Sequence, residues 1–324
     1  MHHYNKFTRY ITILLFICFH TCHSQVLIIT CCYNRPDFIE IQFKTFKKFL
    51  RESFKFIVIN DAPTQDVSQE IEKICKKYDI ECKRFEQHWH NLPYLPRNDG
   101  NPFNFPSVRH AHALQYGLQT IGFSHNDYVM IADSDLFLVK PFSVTEYMQD
   151  HHISGFLRYS QFTGSLQEDT QISYFWPPLI IINMPILPNK MDFNVNVGFV
   201  APDRWVDTGG FTHFYMKNNP HLKIKFLNII GLNALPNDLH LLFTLVHSPY
   251  YTQDQCKDVN LLRSLNLDDD QINFITQGPI NIQYFLNNKF IHYMSASNYD
   301  QKSAFWHELK TSLFNNYISK ILST

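Results

Sequence analysis

The 324-residue chain has no excess of charge of either sign, with 28 Lys and Arg against 29 Asp and Glu. A nucleic-acid-binding surface needs a basic excess or stripe, and with neither present no nucleic-acid partner is expected. No block of like charges, no Gly/Ser-rich linker and no internal repeat interrupts the chain, so one compact unit is expected. Seven cysteines occur without a single Cys-x-x-Cys spacing, so nothing supports a zinc site. Asn-x-Ser/Thr is missing throughout, and a eukaryotic secretory passage would therefore add no N-glycan.

The N-terminus differs in kind from the rest. "MHHYNKFTRYITILLFICFHTCHSQ" has a weakly basic start at Lys6 and Arg9, an apolar run from Ile11 to Phe19, and small residues at Cys22 to Ser24. That run is shorter than the ~20 residues a membrane-spanning helix requires. Residues 1–24 therefore read as a cleaved signal peptide, with a short membrane tether and a buried first strand as alternatives. A cleaved leader implies secretion or an endomembrane or periplasmic lumen. Residues 25–324 are then a single domain. Of its cysteines, Cys31, Cys32, Cys75, Cys82 and Cys256, only Cys75 and Cys82 suggest a pair for an oxidising compartment, and an odd number leaves one thiol over.

Hydrophobic residues make up 45% of the chain, enough for a large core. Val26 to Thr30 is a continuous apolar run of the kind that forms a buried parallel strand. Pro36 suits a helix start, and Phe38, Ile41, Phe46 and Phe49 follow at helical spacing. Phe54 to Ile59 is a second strand, ending at Asn60-Asp61. A second helix carries Val67, Ile71, Ile74 and Tyr78, and Ile80 to Phe85 is a third strand. Ser107 is a candidate N-cap for a helix bearing Val108, Ala111, Leu114 and Leu118. Tyr128 to Ala132 is the fourth strand. Strands alternating with helices predict an α/β fold with a mostly parallel, twisted, Rossmann-like sheet flanked by helices. Ligands of such sheets bind outside the C-terminal strand ends, where Thr30–Arg35, Asn60–Asp61 and Asp133–Asp135 all fall. The alternation fades after Pro141. This divides the domain into an alternating α/β half, residues 25–142, and a mixed α+β half, residues 143–324, closed by a terminal amphipathic helix. "WPPLIIINMPILPNKMDFNVNVGFV" reads there as short mixed strands and loops over the site.

Asp133-Ser134-Asp135 follows the fourth strand and precedes the apolar Leu136-Phe137-Leu138. At a strand end two alternate carboxylates converge on one hard cation, Mn²⁺ or Mg²⁺, which in turn bridges diphosphate oxygens. Two solvated acids in a turn are the plain alternative. "VLIITCCYNRP", "FIVINDA", "SVRHAHALQYGL" and "YVMIADSDLFLVKPF", in that order, resemble nucleotide-sugar glycosyltransferases of the GT-A fold, well over residues 26–142 and loosely beyond. The resemblance implies a nucleotide-sugar donor gripped by Thr30, Tyr33, Asn34 and Arg35, with Asp61 on the base. It implies Arg109, with His112 beside it, towards the phosphates, Asp133 and Asp135 on the metal, and His292 of "FIHYMSASN" as a late metal ligand. Lys302 is a further phosphate candidate, against the reading of a solvated surface lysine. The resemblance makes residues 25–142 the nucleotide and metal half and residues 143–324 the acceptor-side half, and implies a glycan, protein or lipid hydroxyl as acceptor.

Inverting transfer also needs a carboxylate base. Asp207, before Gly209-Gly210, where a ligand can approach the backbone closely, is one candidate, and Asp238 in "LPNDLH" is the other. Either acid suits a helix N-cap equally well. Trp176 offers a sugar-stacking face or ordinary core packing. Two other functions stay open. One is a non-catalytic GT-A-like protein that binds a glycan or a partner. The other is an Asp-x-Asp phosphohydrolase, although that motif normally follows the first strand and here three strands precede it.

Overall fold

The structure, a computed structural model, describes residues 25–91, 106–162, 170–201, 204–233, 250–278, 281–294, 296 and 304–324. The leader, Asp238 and Lys302 lie outside them. The described residues begin with β1 (Gln25–Cys32), α1 (Pro36–Phe49), β2 (Ser53–Asn60), α2 (Gln65–Lys77), β3 (Glu81–Arg84), α3 (Pro106–Thr120) and β4 (Tyr128–Ala132). They continue with β5 (Leu136–Leu138), α4 (Val144–Met148), β6 (Ile153–Phe162), β7 (Thr170–Asn183), β8 (Gly198–Ala201), β9 (Arg204–Val206), α5 (Thr212–Asn218) and β10 (Ile224–Phe226). They end with β11 (Ile229–Asn233), β12 (Tyr250–Tyr251), α6 (Val259–Ser264), α7 (Asp269–Thr276), β13 (Asn281–Phe285), β14 (Phe290–His292) and α8 (Ala304–Ser323).

Among the described residues, seven strands form one sheet in the order β10-β6-β7-β4-β1-β2-β3. The β3-β2-β1-β4 run is parallel, and β7 alone is reversed. This is the α/β architecture with a mostly parallel sheet that the alternating pattern predicts. Both faces of the sheet are covered, and β1 shows it directly. Val26 and Ile28 join α1 and α2 in one core cluster, while Leu27 and Ile29 face α3 in another. That is why Val26 to Ile29 are apolar without a break instead of alternating. A second sheet, β12-β11-β13-β14-β5, packs its apolar side with α1, α7 and α8 around Phe38, Phe137, Phe274 and Phe314.

Three local expectations are corrected. α3 starts at Pro106, so Ser107 lies inside its first turn and does not cap it, and its carbonyl accepts a hydrogen bond from Thr208 Oγ1 at 2.8 Å. The stretch beginning at Trp176 does not open on loops. It is the second half of β7, a 14-residue strand in the middle of the large sheet. Pro177 and Pro178 are accommodated because the β6 register jumps there, with Phe156 opposite Trp176 and Gly155 opposite Ile180. Finally, Gly209 brings the backbone close to protein, since a Cβ there would sit 1.9 Å from the Phe175 carbonyl oxygen. Cys75 and Cys82 pack in the same core cluster, and both thiols are free.

Candidate functional site

The two sheets meet at Asp133-Ser134-Asp135. β4 ends the parallel run of the large sheet, and after the turn β5 leaves into the small sheet beside β14. In that pairing His292 stands opposite Leu136, and Tyr293 N donates to the Asp135 carbonyl at 2.8 Å. Strand register thus delivers His292 to Asp135, 157 residues away in sequence. The turn itself is pinned from α1, where Gln42 Nε2 donates to the carbonyls of Asp133 (2.7 Å) and Leu136 (2.8 Å).

Asp133, Asp135 and His292 offer one ligand atom each, all within 4.8 Å of one another. His292 Nε2 lies 3.1 Å from Asp135 Oδ1 and 3.9 Å from Asp133 Oδ2. The other ring nitrogen, Nδ1, is 2.9 Å from Gln283 Oε1. With a cation bound, Gln283 Oε1 would take the Nδ1 proton and leave the Nε2 lone pair, beside the two carboxylates, free to ligate it. Asp133 Oδ1 is buried, with His110 Nε2 2.9 Å away from it. A set of two carboxylates and one imidazole fits Mn²⁺ or Mg²⁺. Burial would raise the Asp135 carboxyl, but His292, the Ala296 amide and the charge of Lys310 together hold it below the usual range.

His110, on α3, escaped the sequence reading although it sits between Arg109 and His112. Burial alone would lower its pKa, yet the charges of Asp133, Asp207 and Asp135 raise it. The signal was present in the helix, where three polar residues crowd one turn before an apolar face.

A second cluster occupies the ends of β1 and β2. Asp61 is buried, and its Oδ1 takes His90 Nε2 at 2.8 Å, Gln87 Nε2 at 2.9 Å and Arg109 Nη2 at 3.4 Å. The Arg109 guanidinium lies over the Tyr33 ring, 4.7 Å from its centroid. His90 stacks on His112 with Nδ1 atoms 3.2 Å apart. In the neutral pair His90 gives its Nε2 proton to Asp61, so its Nδ1 accepts from His112. That leaves the His112 Nε2 lone pair buried and without a partner among the described residues. Burial, with His90 and Arg109 adding to it, pulls the His112 pKa down to about 3. Thr30 Oγ1, Asn34 Oδ1 and Arg109 Nε are buried and unpartnered in the same sense. Tyr33, Asp61, Arg109 and His112, far apart in sequence, are therefore brought together. Gln87 and His90 were missed, although "EQHWHN" follows the third strand just as the other polar clusters follow theirs.

Arg35 is committed elsewhere. It forms a two-point ion pair with Asp37, reaches the Ala296 carbonyl at 3.3 Å and covers the Phe38 ring at 3.6 Å. Asp207 does not cap α5, whose N-cap position is Phe211. Asp207 Oδ2 accepts from Arg158 Nη1 at 2.7 Å and Oδ1 from its neighbour's amide, Thr208 N, at 2.8 Å. Trp176 is half-buried, 5.9 Å edge-on from His292 and 5.7 Å from the Arg158 guanidinium, so it borders the site.

No family model matches this chain, and no curated protein matches it either. Among solved structures it is similar to the galactosyltransferase LgtC, in complex with donor and acceptor sugar analogues, over 90% of this chain and 95% of that one, at 11% identity and a TM-score of 0.42. A mannosyltransferase from Pyrobaculum calidifontis, in complex with GDP-Man and Mn²⁺, is similar over 64% of this chain at 13% identity and a TM-score of 0.39. The bifunctional glycosyltransferase WbbM is similar over 63% of this chain at 8% identity and a TM-score of 0.38. The chain spans 55% of the mannosyltransferase and 38% of WbbM. These likenesses are of chain path; what the site can do follows from its own donor atoms.

Proposed function

We propose that this protein is a metal-dependent glycosyltransferase that moves a sugar from a nucleotide-diphosphate donor to an acceptor hydroxyl. The observation that carries the reading is the Asp133, Asp135 and His292 cluster at the C-terminal end of β4, where the sheet's ligand edge lies. A divalent cation held there supplies positive charge to the diphosphate as it leaves.

The other residues have separable tasks. The Tyr33, Arg109 and His112 cluster lines the donor side, with a cation and an aromatic face suited to a nucleotide. Asp61 holds that cluster in place through three donors, all on Oδ1. Asp207 is the candidate base of an inverting reaction. Two donors fix its orientation, and a carboxylate keeps further lone-pair positions for the acceptor hydroxyl. His110 lies where the charges of Asp133 and Asp207 are both felt, between the metal side and the acceptor side.

A panel of sugar nucleotides, each incubated with Mn²⁺ or with chelator, tests the reading. Metal-dependent release of the nucleotide diphosphate from at least one donor is the expected result. Asp135→Ala should abolish it, a loss of about 10³-fold or more if the metal neutralises the leaving group. Unchanged turnover in that variant removes the metal role.

A further inference from the structure

Lys310 is a buried lysine on α8, 5% exposed, and no step proposed above uses it. Its Nζ donates to the Met294 carbonyl at 2.9 Å and lies 3.8 Å from the centre of the Tyr293 ring. Met294 has φ +61°, left-handed backbone that a residue with a side chain adopts only at a cost. Met294 also follows His292 by two residues, in the segment that wraps Asp135. His292 Nε2 meets Asp135 Oδ1, Tyr293 N meets its carbonyl, and Ala296 N reaches Oδ2 at 3.3 Å. From the far side Arg35 Nη1 holds the Ala296 carbonyl.

We propose that Lys310 is a positioning residue, which clamps the left-handed turn at Met294 and so holds His292 and the Ala296 amide in register with Asp135 for cation binding. The inference rests on the metal reading of that cluster. Without a donor on its carbonyl, Met294 relaxes towards negative φ and carries both neighbours of Asp135 with it. A purely electrostatic role predicts the opposite sign. Removing a positive charge near two carboxylates strengthens their hold on a divalent cation.

Mn²⁺ binding to the full chain, measured by calorimetry or electron paramagnetic resonance with Mn²⁺ alone, separates the two. Lys310→Met should lower Mn²⁺ affinity by roughly 10–100-fold, the usual consequence of losing an outer support of a metal ligand. Its metal-free unfolding midpoint should stay level or rise, because an apolar side chain replaces a buried charge. Adding Met294→Gly, which makes positive φ cheap, should restore affinity in the Lys310→Met chain. Lys310→Arg keeps a donor for the carbonyl and should bind Mn²⁺ nearly as the wild type does, a second measurement if Lys310→Met does not fold. Unchanged or tighter Mn²⁺ binding in Lys310→Met overturns the clamp, as does failure of Met294→Gly to rescue. A loss in Lys310→Arg as large as that expected for Lys310→Met also overturns it. Wild-type chain that binds no Mn²⁺ overturns the metal reading itself, and the clamp with it.

Discussion

His112 carries one of the larger consequences attached to a single side chain here. Its pKa of about 3 lies well below the ordinary 6.5, because burial beside His90 and Arg109 disfavours the charged ring. Above about pH 6.5 the native and unfolded chains bind the same number of protons at this position. Between about 6.5 and 3 the unfolded chain binds one more, so stability falls as the pH drops through that window, by on the order of a few kcal/mol. Urea midpoints followed from neutral pH down towards about pH 4 should show this slope, and His112→Gln should flatten it. Equal slopes in the two proteins count against the buried neutral ring. At this same scale the Asp-x-Asp was readable from its place after an apolar strand. His110 and His90 were not singled out, since in a chain with 17 histidines only distance separates a site histidine from a packed one.

At the scale of elements, the segment between β9 and α5 shows what a glycine can be for. Gly209 has φ +91°, donates to the Val195 carbonyl at 2.7 Å and lies against the Phe175 carbonyl of β7. Gly209→Ala adds a Cβ in a strained backbone region and directly against a backbone oxygen that cannot swing away. A loss on the order of 3 kcal/mol or more is expected. A denaturation midpoint within experimental error of wild type would show that the two segments move apart freely. Because Asp207 stands two residues earlier, its pairing with Arg158 should loosen in the same variant. The prolines of β7 teach the complementary lesson. They read as loop signals in sequence, yet a register jump in the neighbouring strand removes the need for their missing N–H groups.

For the whole molecule, α8 is part of the site and not an appendage. Phe314, Tyr317, Ile318 and Ile321 are buried in the cluster beneath the small sheet, and Lys310 of the same helix holds the turn after β14. Burying four such side chains contributes about 1.5–3 kcal/mol each, comparable with the total stability of a typical domain. A chain ended after residue 303 should therefore lose cooperative unfolding by circular dichroism. A truncated chain with a sharp, near-wild-type transition would show that α8 is dispensable. Among the described residues no helix is long and apolar enough to cross a membrane.

The order of elements up to β4 was legible from sequence because a strand buried on both faces must be continuously apolar, and an amphipathic helix must repeat near every 3.6 residues. The ligand edge followed from the same pattern, since parallel strands end on one side. What only the tertiary structure decided was the pairing across long sequence distance: β5 with β14, which carries His292 to Asp135, and α8 with the turn at Met294. Neither leaves a local periodicity. Strand register and helix docking are set by which apolar faces fit together once the chain has collapsed, and that fit brings together residues no spacing rule connects.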